Sequence, residues 1–401
     1  MKQRFIDPFT PNRPIDDPER FFGRADPVEE LVDALFQIKN SNPKHSIVTG
    51  DRGVGKSSLL GQAQLTATRD NRLTNRLNID RGCDQFDFIC IWHDCDSTQS
   101  AFDLANAILR KFESSFSKFT KGLTVELDLA GFAKLGANQQ SAANLSELIE
   151  EFCGRLDRVC SSALKAGKDG VLIFVDEIDR LSVDSMVASF MKLATERLAR
   201  DKVQNLSFMA AGITGAVQKL EDEHGSILRT FRDVPLTTFE SDEVEDILLD
   251  GFQKVERKVA MSNLGEKAWE VTVGLPEPIH LLGSEMLSVD EDAELNEDDF
   301  SAAIEKIVTD VRRNKLASLL RSAGGGKYQR IVEAIAAYDK KIVPLQEIAK
   351  HLGHEQNTFA TNMATLLDRG ILLKPQIGYY TFSDPMLKEY IKINGVLNME
   401  E

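Results

Sequence analysis

The sequence predicts an α/β fold, a parallel sheet with helices on both faces, followed by a helical segment and a small domain of helices and one hairpin. Three observations carry this prediction. Short apolar runs alternate with helical patterns between residues 45 and 236, and such alternation indicates βαβ units. From Ser241 to Arg321 only helical spacing continues. Beyond a glycine-rich linker, three helical patterns precede a short hairpin pattern.

The first region is predicted to contain an N-terminal arm, alternating strands and helices, and one inserted hairpin. Residues 1–20 are rich in Pro and polar side chains, which predicts an extended arm on the first domain. A helix is predicted from Asp26, where Pro27 suits a first turn. Thr124–Leu129 alternates apolar and acidic residues and predicts a hairpin inserted near 122–137. The other predicted elements are strands at Ser46–Thr49, Phe86–Trp92, Val171–Val175, Leu206–Ala211 and Val234–Leu236, and helices from Ser58, at Ala101–Phe116, Leu145–Leu164 and Val183–Leu198.

Composition and charge exclude several classes of protein. A chain of 401 residues with 42% hydrophobic and 28% charged residues is typical of a folded protein of two or three domains, not of a disordered chain. The formal charge of −15 argues against non-specific coating of nucleic acid, although it permits a local DNA-binding face. No apolar run resembles a signal peptide or a membrane helix, so we expect a cytoplasmic protein without a membrane partner.

One motif predicts a phosphate-binding loop. The segment Gly50–Ser57 fits G-x-x-x-x-G-K-[ST] and lies between a predicted strand and a predicted helix, which is the context that this motif requires. Backbone N–H groups of such a loop bind phosphate oxygens, the lysine reaches the β- and γ-phosphates, and the serine hydroxyl ligates Mg²⁺. The sequence therefore predicts binding of ATP and Mg²⁺. The predicted binding residues are Gly50, Asp51, Arg52, Gly53, Val54, Gly55, Lys56, Ser57 and Ser58.

A second motif supports the first. The apolar strand Val171–Val175 ends in Asp176 and Glu177, at the strand end where ligands bind in parallel sheets. We expect Asp176, together with Ser57, to hold Mg²⁺, and Glu177 to orient or activate the attacking water. Lys56 is the residue expected to neutralise charge in the transition state.

Together these residues resemble an AAA+ P-loop ATPase of the origin-recognition-like and STAND (signal-transduction ATPase) type, over nearly the whole chain. Phe21-Phe-Gly-Arg24 is similar to the segment that such proteins place against the adenine, which implies nucleotide contacts for Phe22 and Arg24. Leu206–Thr214 resembles their fourth strand, and Thr214 then occupies the sensor position between the two phosphate motifs. The resemblance implies a core at 1–240, a helical lid at 241–321, a linker at 322–327 and a winged helix at 328–401.

The lid resembles the STAND type more closely. Gly274-Leu-Pro276 carries no sensor arginine, and the resemblance implies that Pro276 packs near the base. His280 either has a polar role there or is an ordinary surface or core histidine. Arg229 and Arg232 precede the fifth predicted strand, where AAA+ oligomers place an arginine finger, but each also fits an ordinary surface arginine. Self-association is implied by the resemblance.

The C-terminal segment predicts a winged helix. Helical patterns at Tyr328–Ala337, Pro344–Gly353 and Asn357–Arg369 precede a hairpin pattern at Leu372–Phe382. Residues 321–401 carry 10 basic and 9 acidic side chains, so almost all of the negative charge lies in the preceding residues. Two interpretations remain: a DNA-associated ATPase, or a switch that controls an effector protein without DNA. The predicted contacts to double-stranded DNA are Thr358, Thr361, Asn362, Arg369 and Lys374, with Lys340 and Lys341 as further phosphate contacts.

Overall fold

The structure, a computed structural model, describes residues 5–11, 13–119, 127, 132, 142–182, 185–215 and 229–396. The hairpin predicted near 122–137 therefore lies outside the described residues, apart from Leu127 and Phe132. Within these ranges no helix has both the length and the apolar character that crossing a membrane would take. The chain forms two units, Pro14–Thr237 and Thr238–Glu401, and the second also includes Met1–Arg13.

A five-stranded parallel sheet forms the centre of the first unit. Its spatial order is β2-β3-β4-β1-β5, and every neighbouring pair is parallel. Strands β1, β3 and β4 are buried along their whole length, because helices cover both faces of the sheet. The predicted α/β class is confirmed. The strands are β1 His45–Thr49, β2 Ile89–Asp94, β3 Val171–Asp176, β4 Leu206–Gly212 and β5 Phe231–Pro235.

Successive side chains of each strand point to opposite faces of the sheet, and helices of this unit pack on both faces. Ile173 and Val175 of β3 belong to a hydrophobic cluster that includes Phe152. On the opposite face of β3, Phe174 stacks against Trp92 of β2 with ring centroids 5.6 Å apart. The helices are α1 Ala25–Lys39, α2 Lys56–Ala67, α3 Arg72–Arg76, α4 Ala101–Phe119, α5 Ala142–Lys165 and α6 Val187–Arg200.

Strand β2 lies further along the chain than the sequence pattern predicts. It spans Ile89–Asp94 and not Phe86–Trp92. The backbone N–H of Asp87 donates to a carboxylate outside the sheet at 2.7 Å, so this part of the apolar run does not enter the ladder. The shift places Asp94 at the end of the strand, in register with Asp176 of β3.

The second unit begins with a predominantly helical segment. Two short strands, β6 and β7, pair in parallel within it, so the prediction of an all-helical lid is wrong in this detail. A buried ion pair between Arg257 and Asp290, 2.6 Å long, joins the two chain segments that contain these strands. The elements are α7 Ser241–Lys254, β6 Lys258–Val259, α8 Leu264–Thr272, α9 Pro276–Val289, β7 Glu294–Leu295, α10 Glu297–Lys306, a π-helical turn Ile307–Val311, and α11 Arg313–Ala323.

The N-terminal arm is divided between the two units, whereas the sequence analysis placed all of it on the first domain. Residues 14–20 belong to the first unit, and Phe9 belongs to the second. The ring of Phe9 meets Phe252 and His280 edge to face, with ring centroids 5.5 and 5.8 Å apart. An aromatic anchor therefore fixes the start of the arm in the helical unit.

The C-terminal elements have the predicted order of helices and hairpin. The linker is shorter than predicted, because α11 continues to Ala323 and only Gly324–Gly326 separates it from α12. The third helix begins at Ala360, after a 3-10 turn at Gln356–Phe359, and not at Asn357 as the pattern predicts. The elements are α12 Lys327–Ala337, β8 Val343–Pro344, α13 Leu345–Leu352, α14 Ala360–Asp368, β9 Leu372–Gln376, β10 Tyr379–Phe382 and α15 Met386–Asn394, with antiparallel sheet order β8-β10-β9.

Candidate nucleotide-binding site

Three strands of the first unit end at one edge of the sheet and bring the predicted motifs together. The loop that begins at Gly50 follows β1, Asp176 ends β3, and Thr214 comes shortly after β4. Strand β4 lies between β1 and β3, with Thr49 in register with Gly212. Parallel strands direct their carboxyl ends to the same edge, and ligands of such sheets bind there.

Glycine is required at the start and at the end of the phosphate-binding loop. Gly50 has φ +154°, and a Cβ atom there would lie 2.3 Å from the carbonyl oxygen of Leu236. Gly55 has φ +99° and immediately precedes α2. The first N–H groups of a helix have no partner within the helix, and they carry the positive end of its dipole. The loop thus leads directly into an anion-binding helix terminus.

Lys56 lies across this loop. Its Nζ donates to the carbonyl oxygens of Gly50 and Asp51, at 2.9 and 2.8 Å. Burial lowers the pKa of the Lys56 ammonium, while the carboxylates of Asp179 and Asp176 oppose this effect. Phosphate oxygens would also stabilise the protonated form of Lys56, because they are anionic acceptors.

Asp176 and Ser57 form a pair of oxygen donors. The Ser57 hydroxyl hydrogen-bonds the Asp176 carboxylate, and the N–H of Glu177 donates to Asp176 Oδ1 at 2.8 Å. Burial raises the pKa of Asp176, although both hydrogen bonds act in the opposite direction. A carboxylate beside a hydroxyl, next to a phosphate-binding loop, fits the oxygen preference of Mg²⁺. The residues present therefore fit this ion.

The raised pKa of Asp176 implies that the free energy of unfolding depends on pH. A carboxyl group whose pKa is higher in the folded state destabilises the fold when ionised, and that cost disappears as the pH falls below its folded pKa. Without Mg²⁺, we expect Asp176→Asn to raise the free energy of unfolding at neutral pH. The advantage should shrink progressively below the raised pKa. Urea unfolding at a series of pH values measures this, and a variant less stable than the parent at neutral pH would contradict it.

Glu177 has an unusual backbone conformation, with φ +57° and ψ +38°. Left-handed conformations are uncommon for residues other than glycine and occur often at functional sites. Its carboxylate forms an ion pair with Arg180, in which Oε1 lies 2.6 Å from the guanidinium. Burial raises the pKa of Glu177, while Arg180 lowers it. A carboxylate with a raised pKa is a better proton acceptor for a general base.

A cavity of about 520 Å³ lies beside Ser57, Asp176 and Glu177. Trp92 and Asp94 of β2 also line this cavity, and the Trp92 indole N–H donates to Asp94 at 2.8 Å. Neither residue is predicted from the sequence. No motif marks them, and only the register between β2 and β3 places them next to Asp176.

Asp179 is a third residue near the site that no sequence motif predicts. Its carboxylate accepts the backbone N–H of Ile213 at 3.2 Å, and so connects the segment after β3 to the segment after β4. The same carboxylate favours the charged form of Lys56. Its position three residues after Asp176 could have suggested proximity to the site. Its partners depend on the order of the strands.

A family comparison agrees with this geometry. Residues 20–209 match the family model described as the AAA ATPase domain. This segment is an AAA ATPase domain. Residues 325–391 match a second family model, a domain of unknown function (DUF8462). No curated protein matches the chain.

Several solved structures are similar to the chain. Orc1 of Aeropyrum pernix in complex with DNA has 13% sequence identity and a TM-score of 0.46, covering 94% of each chain. Orc2 of Aeropyrum pernix has 10% identity and a TM-score of 0.49, covering 90% of this chain and 92% of that chain. A variant of RuvB from Thermotoga maritima has 17% identity and a TM-score of 0.43, covering 96% and 99%. The assignment of the AAA ATPase domain rests on the family match.

The segment before α1 of the AAA ATPase domain contacts the phosphate-binding loop. Arg24 is buried, and its guanidinium donates to the Val54 carbonyl at 3.4 Å. Phe22 lies under the guanidinium of Arg76, 5.5 Å from ring centroid to carbon. Ser58 uses its hydroxyl to accept the backbone N–H of Ile15 at 3.1 Å. These side chains therefore have partners within the first unit, and their nucleotide contacts remain predictions.

The residues predicted for the sensor and finger lie in different surroundings. Thr214 is exposed just beyond β4, and Arg229 is exposed just before β5. Arg232 lies on β5 and forms an ion pair with Glu30 of α1 at 3.1 Å. The structure thus provides an ordinary ion pair for Arg232, and the finger assignment of either arginine stays a prediction.

The second unit contains the remaining predicted nucleotide contact. Pro276 is the first residue of α9, a position that suits proline because its missing N–H is not needed there. His280 is buried on the same helix, and its Nδ1 accepts the backbone N–H of Thr10 at 3.3 Å. This contact supports the interpretation of His280 as a core residue.

The predicted DNA contacts are only partly available. Thr358, Thr361 and Lys374 are exposed, and Asn362 is half-buried. The guanidinium of Arg369 instead donates to the Ala323 carbonyl at 2.8 Å and lies 4.9 Å from the Tyr328 ring centroid. Arg369 is nevertheless exposed, and its contact with DNA stays a prediction. Lys340 is exposed, whereas Lys341 is half-buried and paired with Glu389 at 3.4 Å.

Proposed function

We propose that this protein binds ATP with Mg²⁺ and hydrolyses it to ADP and phosphate. One observation carries the proposal: a phosphate-binding loop, an oxygen pair suited to Mg²⁺ and a carboxylate with a raised pKa lie at the same edge of the sheet. The match to the AAA ATPase domain supports nucleotide binding by this edge.

Each residue of the site has a separate role in the proposed hydrolysis. Lys56 gives up its hydrogen bonds to the two loop carbonyls and donates instead to oxygens of the β- and γ-phosphates. Ser57 and Asp176 would hold Mg²⁺, which supplies positive charge beside those oxygens when bound. Glu177 leaves Arg180 and accepts the proton of the attacking water. The water oxygen bonds to the γ-phosphorus, and the bond from that phosphorus to the bridging oxygen breaks to leave ADP.

The test is phosphate release by the purified full-length chain. We expect ATP-dependent release that falls to background when a chelator removes Mg²⁺ and returns when Mg²⁺ is added in excess. Slow turnover would agree with a switch, in which the nucleotide state shifts the population of conformations. Release that is the same with and without the metal would contradict the proposed site.

We further propose that the C-terminal elements form a winged helix that the nucleotide state repositions, and that it associates with DNA. Three helices followed by a hairpin, with β8 completing a three-stranded sheet, support this interpretation. The 3-10 turn before the third helix offers exposed Thr358, and the helix itself offers exposed Thr361; threonine is a residue type that contacts bases and phosphates. An electrophoretic mobility assay with duplex DNA, with ATP and with ADP, tests the association.

The alternative is a STAND-like switch that controls an effector protein without DNA. The outer face of the hairpin favours it, because Ile377 at the tip is 91% exposed and Leu373 is 47% exposed. Exposed apolar side chains grouped together often mark protein interfaces. Nucleotide-dependent change in molecular size without any affinity for DNA would favour this alternative over the first.

A further inference from the structure

A stretch with basic but no acidic residues begins at the end of the π-helical turn. Residues 311–332 contain Arg312, Arg313, Lys315, Arg321, Lys327 and Arg330 and no Asp or Glu, in a chain whose formal charge is −15. The stretch covers α11, the glycines and the start of α12. The charge count of residues 321–401 includes only part of this stretch, so it does not show the excess of basic residues.

Other helices of this protein neutralise their cations with carboxylates one turn away. Lys192 pairs with Glu196 at 2.7 Å, and Arg197 pairs with Asp201 at 2.7 Å. This is the usual arrangement on an exposed helix, where pairs at this spacing stabilise the helix by a few tenths of a kcal/mol each. Helix α11 has no carboxylate with which to form such a pair.

The structure separates these cations into paired and unpaired groups. Arg312 is buried and bonded to Asp384 and Glu277, and Lys315 lies 2.9 Å from Asp384. The other four are exposed, and the structure gives their side chains no ion-pair or hydrogen-bond partner among the residues it describes. We call these four the linker patch. It consists of Arg313, Arg321, Lys327 and Arg330.

The backbone beneath the linker patch is held in place. The side-chain amide of Gln329 donates to the carbonyls of Leu320 and Gly324, at 3.2 and 2.5 Å. Arg369 donates to the Ala323 carbonyl and covers Tyr328. These contacts bridge the glycines between α11 and α12, so the four cations are presented by two tied helices and not by a loose tail. A ligand would meet a surface that needs little further ordering.

We propose that the linker patch binds the phosphate backbone of duplex DNA. Three of its four side chains are arginines, whose forked donors suit phosphate oxygens. Arg313 and Arg321 are eight residues apart, about 12 Å along the helix, which spans three to four phosphates of one DNA strand. Single-stranded nucleic acid is disfavoured because Tyr328 is covered by Arg369 and no exposed aromatic ring lies among residues 311–332.

This inference rests on the proposed association with DNA and names the surface responsible for it. The inferred DNA contacts precede the third helix of the C-terminal domain and do not include Arg369. The nucleotide-binding residues have no part in it, since all four cations belong to the second unit.

The test is fluorescence anisotropy of a short labelled duplex with the full-length protein, at salt concentrations from about 50 to 200 mM. We expect the double variant Arg321→Glu/Arg330→Glu to bind at least about tenfold more weakly at the lowest salt. The slope of log affinity against log salt should become shallower by about two, because each lost phosphate contact removes about one.

Two further variants serve as comparisons. Lys165→Glu/Lys202→Glu makes the same change of net charge on exposed residues of the first unit, and it should bind DNA like the parent. Lys374→Glu tests the hairpin separately. Loss of binding in Lys374→Glu with normal binding in Arg321→Glu/Arg330→Glu would overturn the linker patch and retain the winged-helix proposal.

Other outcomes are equally decisive. If the parent does not bind duplex DNA at the lowest salt, both proposals about DNA fail. If the patch variant changes only the molecular size of the protein, the patch is an interface between proteins and the inference is wrong. Phosphate release and thermal unfolding of each variant should match the parent, which confirms folding and keeps the ATPase proposal separate.

Discussion

The Lys56→Ala protein is expected to lose measurable affinity for ATP. The ammonium of Lys56 is partly buried above the phosphate-binding loop, held by the carbonyls of Gly50 and Asp51. In the proposed complex it neutralises the β- and γ-phosphates. A hydrogen bond to a charged group contributes about 1.5–3 kcal/mol. Two such contacts predict a loss of affinity of at least about 100-fold, which isothermal titration with ATP and Mg²⁺ measures.

The matched control for this variant is Lys44→Ala. Lys44 lies just before β1 and pairs with Asp33 at 2.7 Å, outside the phosphate-binding loop. This pair is partly exposed, so its loss should change stability little and leave ATP affinity unchanged. Unchanged affinity in Lys56→Ala, with normal folding, would show that the loop is not the nucleotide site.

The Glu177→Gln protein is expected to bind ATP and fail to hydrolyse it. Glutamine keeps the size of the side chain but cannot accept the proton of the attacking water. General base catalysis typically contributes 100- to 10,000-fold, and we expect phosphate release to fall by about this factor. Affinity for ATP should stay close to that of the parent. Single-turnover phosphate release, measured beside equilibrium binding, separates the two effects.

Glu147→Gln provides the comparison for the loss of one carboxylate. Glu147 is exposed on α5 and has no role in the proposed site, so its variant should turn over ATP like the parent. Weak binding by Glu177→Gln would instead indicate that the carboxylate shapes the site. Normal turnover by both Glu177→Gln and Lys56→Ala would show that the assignment of the whole site is wrong.

The motif residues could be predicted because their geometry is local. A strand, a glycine-rich turn and a helix follow each other directly between His45 and Ala67, so the motif predicts its own shape. The same holds for Asp176 and Glu177, which follow an apolar strand without interruption. Their neighbours Asp94 and Asp179 could not be identified this way, because register and strand order bring them to the site.

Charge shows the same division between local and tertiary information. The sequence counts cations but does not show which of them are already paired. Arg369 is a predicted DNA contact and also donates to the Ala323 carbonyl, and Arg232 is paired with Glu30. Arg321 and Arg330 belong to no sequence motif, yet the structure leaves their side chains exposed and without a partner among the described residues.

The sequence alone determined the class of fold, the phosphate-binding loop and the carboxylates that follow β3. These depend on residues close together in the chain, where spacing fixes geometry. The tertiary structure decided the order of the strands, the residues that surround Asp176, the division of the N-terminal arm and the cations that remain exposed. Each of these depends on contacts between distant segments, and such contacts arise from packing rather than from any local pattern.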